Sequence, residues 1–293
     1  MFAGIIGSKY DPHVQILKKK LEDRGCEADI IDLLHTPLIF SKKEITINEK
    51  MLSSYDAFYI RQIPYLIPPK FFKKISKEEW EELYEEYIDL IPRNMELMSL
   101  FTSLIKLIDD EALCINPFET LFLQFLKPWQ FYLLAKNNLP IPPYIVTNFI
   151  PDKHDFGIVK PLGSYAKVQI FKNKMRDERK PLILQKFVKG RVMRASLLED
   201  EFIGCVEIEH KGIDYRGENA IYRKVEIEEE DKETLFKCIE SLGMRYTEID
   251  FIKGEEKIFI LDCNPSPGFM VLEEKAKLPI SDKIAEYMIR NAR

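Results

Sequence analysis

Asp250, Asp262 and Asn264 are the residues whose types and spacing speak most directly of chemistry, within the stretch EIDFIKGEEKIFILDCNPSPGF that runs from Glu248 to Phe269. The runs TEIDFI and KIFILDCN are β-branched and aromatic, and the polar Gly254-Glu255-Glu256 segment between them completes the pattern of an antiparallel hairpin. Asp262 and Asn264 stand two apart and so project from one strand face, where Asp250 can meet them from the partner strand in a suitable register. Oxygen donors suit a hard cation. Mg²⁺ keeps several waters and takes one or two carboxylates plus substrate phosphates, so this small set predicts a Mg-nucleotide site rather than a closed structural metal site. The ordinary alternative is a pair of solvated strand-end acids.

Elements upstream must bring phosphate-binding cations to that hairpin. In FGIVKPLGSYAKVQIF, Lys160 ends an apolar strand, where a compact ammonium can meet phosphate oxygens. The following Gly163-Ser164-Tyr165-Ala166-Lys167 holds one glycine, fewer than a loop of converging backbone N–H groups normally uses. Lys127 precedes a helix and a Pro-rich turn in LKPWQFYLLAKNNLPIPPYIVTN, and taken alone it reads as a surface lysine. The N-terminal third reads as a small α/β unit: FAGIIG a strand, residues 12 to 24 a helix, ADIIDL and DAFYIR two further strands. Arg61 lies where the last of these enters the Gln62-Ile63-Pro64-Tyr65 turn, a place from which a guanidinium could hold a substrate carboxylate. The stretch KKISKEEWEELYEEYIDLIPRNMELMSLFTSLIKLID reads as two amphipathic helices separated near Pro92, the first starting at Ser76 or Lys77. Its acidic face reads first as solvated and second as a contact for an amine-bearing or basic substrate.

Composition narrows the class. A chain of 293 residues suggests about two domains, and a hydrophobic fraction of 46% supplies a sizeable core. The net charge of −5 argues against broad nucleic-acid affinity. Cys26, Cys114, Cys205, Cys238 and Cys263 include no C-x-x-C pair, so neither a zinc module nor a disulfide scaffold is indicated. No apolar run approaches the span of a bilayer and the N-terminus lacks a signal-like core, which makes a cytoplasmic protein without membrane contact the expectation.

The hairpin, its Asn264-Pro265-Ser266-Pro267-Gly268-Phe269 turn and the two lysines, taken in chain order, resemble the ATP-grasp ligases, in particular the ribosomal-protein glutamate ligases and related peptide ligases. The resemblance runs from about Pro117 to Arg293. It implies an α/β (α+β) architecture: an N-terminal α/β domain over 1–116, a central lid subdomain over 117–186, and a C-terminal antiparallel-sheet subdomain over 187–293 that carries the metal site. It further implies that Asp250, Asp262 and Asn264 hold Mg²⁺, with Mn²⁺ as the alternative ion, and that Lys127 and Lys160 orient ATP. Gln185, Lys186, Phe187 and Val188 match the hinge whose backbone and apolar wall meet adenine. Arg194 and Arg216 would hold the anionic intermediate, and Ser266 and Gly268 of the turn would meet substrate. The activity implied is ATP-dependent joining of a carboxylate to an amine through an acyl phosphate, with small-molecule or peptide substrates and a homodimer as the assembly to test. Three departures stand out: Val192 replaces the acid often used against ribose, Ile208 an arginine near the reacting groups, and the lid is poor in glycine. They keep open a nucleotide-binding scaffold that has lost turnover, and an ATP-grasp kinase stands as a further alternative.

Overall fold

The structure is a computed structural model that describes residues 1–63, 76–152, 154–162, 167–172, 181–212 and 220–292. The chain divides into two compact units, Met1–Cys114 with Met288–Arg293, and Ile115–Tyr287.

In the first unit, β1 (Phe2–Ile6), α1 (Pro12–Glu22) and β2 (Glu27–Ile31) form a right-reading α/β start, followed by the short strands β3 (Leu38–Phe40), β4 (Ile45–Ile47) and β5 (Lys50–Met51). These three make a small antiparallel sheet whose strands are too short for alternation to reveal. Next come β6 (Ala57–Ile60), α2 (Lys77–Glu111) and β7 (Leu113–Ile115). The main sheet has the order β2-β1-β6-β7, with β1 parallel to both β2 and β6. Strands covered on both faces read as continuous apolar runs, and Ala57, Phe58, Tyr59 and Ile60 are accordingly all buried. Asp11 caps α1 by accepting from the His13 backbone N–H, and Val14, Leu17 and Leu21 bury its inner face.

α2 corrects the sequence reading, because it is a single helix of 35 residues that passes through Pro92. It opens with a capping box, the Ser76 hydroxyl accepting from Glu79 N–H while the Glu79 carboxylate accepts from Ser76 N–H. Pro92 removes the bond to the carbonyl of Ile88, yet both residues are exposed, so water can satisfy that carbonyl. Its far half is anchored by buried Phe101, Leu104, Ile105 and Ile108.

The second unit begins with α3 (Phe118–Leu121) and α4 (Lys127–Lys136) and then forms two antiparallel sheets. The smaller is built from β8 (Tyr144–Thr147), β9 (Ile158–Pro161), β10 (Gln169–Ile170) and β11 (Leu182–Gln185) in the order β10-β9-β11-β8. The larger contains β12 (Arg191–Leu198), β13 (Glu201–Glu209), β14 (Ile221–Val225), β15 (Tyr246–Lys253) and β16 (Ile258–Asn264), with α5 (Glu229–Leu242) between β14 and β15. Its order is β14-β13-β12-β15-β16, and α6 (Met270–Ala276) and α7 (Ile280–Asn291) follow. One face of this sheet, with Met193, Ala195, Ile249 and Phe251, packs against Phe131 and Leu134 of α4 and Leu235 and Ile239 of α5. The period of two leaves Arg194, Glu248 and Asp250 on the opposite face.

All five cysteines are free thiols. Among the described residues, no helix is long and apolar enough to cross a membrane.

Candidate functional site

The hairpin forms as the sequence predicts, with β15 and β16 antiparallel and Asp250 directly opposite Asp262. Its register contains an irregularity that matters. Phe251 pairs with Ile260 while Asp250 pairs with Asp262, so Leu261 is an extra residue between the two pairs. Strict alternation from the core residues Ile258 and Ile260 would carry Asp262 and Asn264 into the core as well. The bulge resets the phase: Cys263 buries, and Asp262 and Asn264 turn to the face that carries Asp250 and Arg194.

Two rows of side chains cross this face. In the first, Arg194 stands opposite Asp250, which stands opposite Asp262; in the second, Ser196, Glu248 and Asn264 line up likewise. Arg194 grips Asp250 with both ends of its guanidinium, Nε to Oδ1 at 2.6 Å and Nη2 to Oδ2 at 3.0 Å, and reaches Glu248 through Nη1 at 3.1 Å. Glu248 is 2% exposed, and that arginine is an ion-pair partner of its buried carboxylate. It is a site residue the sequence reading passed over, although its position two before Asp250 already placed it on the same face.

Lys127 extends from the first turn of α4 to Asp262, Nζ to Oδ2 at 2.6 Å. Three residues further along α4, Gln130 is fully buried and binds the exposed edge of β16, its Nε2 donating to the Cys263 carbonyl at 2.7 Å and its Oε1 accepting from Cys263 N–H at 3.1 Å. The amide thus substitutes for a neighbouring strand between Asp262 and Asn264. Asn116, also fully buried, closes the other end: its Nδ2 donates to the carbonyls of Tyr246 and Pro265, and its Oδ1 accepts from the N–H groups of Arg245 and Tyr246. The Asn264 side-chain oxygen accepts from Ser266 N–H at 3.1 Å, which fixes the amide at the start of the turn.

Lys160, at the end of β9, enters the same space. Withdrawal of its ammonium from water pushes its pKa down to about 8, with the charge of Lys127 acting in the same direction and Asp262 and Asp250 opposing. A cavity of about 730 Å³ connects these groups, lined by Lys127, Lys160, Arg194, Asp250, Asp262 and Asn264 and by the hinge residues Gln185 to Val188. Gln185 is 2% exposed, and among the described residues its amide Nε2 has no hydrogen-bond partner, so the cavity wall holds a buried donor free to meet a ligand acceptor. Lys186 uses its backbone N–H on the Pro143 carbonyl and its ammonium on Asp155, and Phe187 is largely exposed. Gly190 continues the hinge where a side chain has no room, since a β-carbon there would lie 2.4 Å from the Lys253 carbonyl oxygen. Val192 and Ile208, the two departures, both line the cavity; Glu207 and His210 bring polar groups to the same wall, Glu207 facing Arg191 at 3.3 Å.

The donor set fits a hard cation. Two carboxylates and an amide share one face and line one cavity, a set that substrate oxygens would have to complete around the ion; among the described residues, no group of three or more His, Cys, Asp or Glu side chains could hold a metal ion. The unsatisfied Gln185 donor and the paired lysines fit a nucleotide beside it. Ser266 and Gly268 do not line the cavity, Arg216 falls outside the described residues, as do the Asp214 to Asn219 loop and Gly163 to Ala166 of the lid. Arg61, in the first unit, forms an ion pair with Asp11, Nε lying 3.1 Å from Oδ2, and Asp11 is also bonded by His13.

Two antiparallel sheets enclosing a cavity, with lysines from one side and carboxylates from the other, make up an ATP-grasp fold. Residues 162–288 match the family described as the RimK-like ATP-grasp domain. The chain is 24% identical over 291 residues to the tetrahydromethanopterin:alpha-L-glutamate ligase of Methanocaldococcus jannaschii, covering 86% of this chain and 97% of that one. It is 21% identical over 299 residues to a probable alpha-L-glutamate ligase of Histophilus somni, covering 91% of each. Among solved structures it resembles the ATP-grasp ligase PsnB complexed with a minimal precursor, with a TM-score of 0.83, 21% identity and coverage of 99% and 98%. It also resembles the macrocyclase MdnC of Microcystis aeruginosa bound to its precursor peptide MdnA, with a TM-score of 0.77, 16% identity and coverage of 99% and 100%.

Proposed function

We propose that this chain is an ATP-dependent carboxylate–amine ligase that joins a small-molecule or peptide acid to an amine, with ATP and Mg²⁺ as cosubstrate and ion. The observation that carries the reading is the single cavity that sets Lys127, Lys160 and the unsatisfied Gln185 amide against Asp250, Asp262 and Asn264. Gln185 and the hinge backbone hold the base, while Lys127 and Lys160 take the phosphate oxygens. Asp250, Asp262 and Asn264 would hold Mg²⁺, which when bound neutralises the phosphates, and Mn²⁺ suits the same donors. Arg194, already fixed by Asp250 and Glu248, orients the carboxylates and presents positive charge to the anionic intermediate.

A substrate carboxylate oxygen attacks the terminal phosphorus and ADP leaves, giving an acyl phosphate. The amine nitrogen then attacks the acyl carbon, phosphate departs, and the nitrogen loses a proton. No protein nucleophile takes part. The relatives named as glutamate ligases make L-glutamate the first amine to try, and the peptide-bound neighbours make peptide carboxylates the first acids.

The test is mass spectrometry of reactions containing ATP, Mg²⁺, L-glutamate and candidate acids. A product equal to the two substrates less one water, with one ADP per amide, is expected. A phosphorylated substrate without coupling would assign a kinase, and ADP release with neither product would sink the ligase reading. Asp262→Asn should slow amide formation by about a hundredfold or more.

A further inference from the structure

The near half of α2 carries an exposed apolar stripe that the cavity chemistry does not use. Tyr84, Ile88, Ile91 and Met95 are 49%, 46%, 46% and 69% exposed. Trp80, 37% exposed, packs edge-on against Tyr84 with ring centroids 5.9 Å apart at the start of the row. At about 100° per residue the spacing of four, four, three and four holds all five within an arc of roughly 80°, and the row is roughly 22 Å long. Helical residues at such spacing are the anchors by which one amphipathic helix lies along another. Leu83, Leu90 and Leu97 lie on a different side and are half-buried, so the stripe is distinct from the helix's more covered side.

Charge decides what the stripe accepts. From Lys77 to Glu96 the sequence carries eight carboxylates against two cations. Glu78, Glu81, Asp89 and Glu96 are exposed and flank the stripe on the side away from the leucine row. A second copy of this helix would set these carboxylates against its own, and an anionic lipid surface would be repelled as well. A helix with an apolar face of the same length, edged by lysine or arginine, meets both the stripe and its rim.

We infer that the Trp80–Met95 face of α2 is a docking surface for a Lys/Arg-rich amphipathic peptide segment that binds as a helix of about four turns. None of these residues lines the nucleotide cavity, and the inference does not depend on the ligase reading.

The test uses the full-length protein and a fluorescein-labelled 18-residue leucine–lysine helical peptide, followed by fluorescence anisotropy. A matched peptide with glutamate in place of lysine reports on apolar contact alone. The lysine peptide is expected to bind, to weaken as salt rises, and to lose about tenfold or more in affinity to the double variant Ile88→Ser with Ile91→Ser, whose charge is unchanged. Met95→Ser, at the most exposed position, should show a smaller loss in the same direction, and far-ultraviolet circular dichroism checks that α2 persists in both. Failure of the lysine peptide to bind, equal binding of the glutamate peptide, or unchanged binding to the variants would overturn the proposal, the last by reducing the attraction to diffuse charge. A native dimer that these substitutions convert to monomers would overturn it too, by making the stripe a contact between copies.

Discussion

Lys160 places a titrating charge where phosphate oxygens are expected. Its ordinary value is near 10.5 and the folded protein lowers it to about 8, chiefly by burial. Between those values the unfolded chain binds more protons than the folded one, so this residue's contribution makes stability rise with pH across the window, its destabilising effect being fully present below about pH 8. Bound phosphates would reverse the shift by favouring the ammonium. ATP binding at about pH 8.5 should therefore take up protons, seen in calorimetry as a binding enthalpy that changes with the ionisation enthalpy of the buffer. Lys160→Met should remove that dependence; a native protein that shows none would refute the assignment. Arg194 supports the site differently, as the cation shared by Asp250 and nearly inaccessible Glu248. Arg194→Met leaves two carboxylates without their partner, and chemical denaturation should show a loss of about 3 kcal/mol. Arg194→Lys retains the charge without the two-pronged grip and should lose less.

At the level of elements, the site depends on how the edge strand β16 is held. Gln130 supplies both halves of the missing ladder to Cys263, and Gln130→Leu would bury that N–H and carbonyl without partners at a cost of about 2–4 kcal/mol for the pair. Because Asp262 and Asn264 flank Cys263, the variant should also weaken binding of ATP with Mg²⁺. A variant destabilised but binding the nucleotide normally would show that the clamp serves only the fold. The hairpin was legible because β-branched runs flank a Gly-containing turn. The bulge at Leu261 was not, since Ile258, Ile260, Asp262 and Asn264 share one parity and alternation alone puts them on one face. Gln130 and Asn116 gave no local signal at all, because the groups they bind lie 133 and 130 residues away. Pro92 misled in the opposite sense, reading as a break where an exposed carbonyl could do without its helical partner.

Across the whole molecule, the α/β beginning and the antiparallel end were readable from strand patterns, and the strand end suggested the phosphate role proposed for Lys160, whereas the role proposed for Lys127 was readable only through resemblance, since taken alone it is an ordinary surface lysine. The structure adds that the expected metal carboxylates are already matched to cations, Asp262 to Lys127 and Asp250 to Arg194. Such pairing links the two ligands of the site. A divalent ion alone must compete with an ammonium 2.6 Å from Asp262, while ATP phosphates can draw Lys127 away and leave the carboxylate to the ion. Ion and nucleotide should therefore bind cooperatively, with a coupling of about 1–3 kcal/mol. Thermal unfolding of the full chain with Mg²⁺ alone, with ATP and chelator, and with both reads this directly: the combined stabilisation should exceed the sum of the separate ones. Lys127→Met separates the pairing from a simple shared site. It should weaken ATP binding yet strengthen binding of Mg²⁺ or Mn²⁺ alone, because Asp262 loses its competitor. If the variant loses the ion and nucleotide together, the lysine serves the carboxylate as support rather than as a partner to be exchanged.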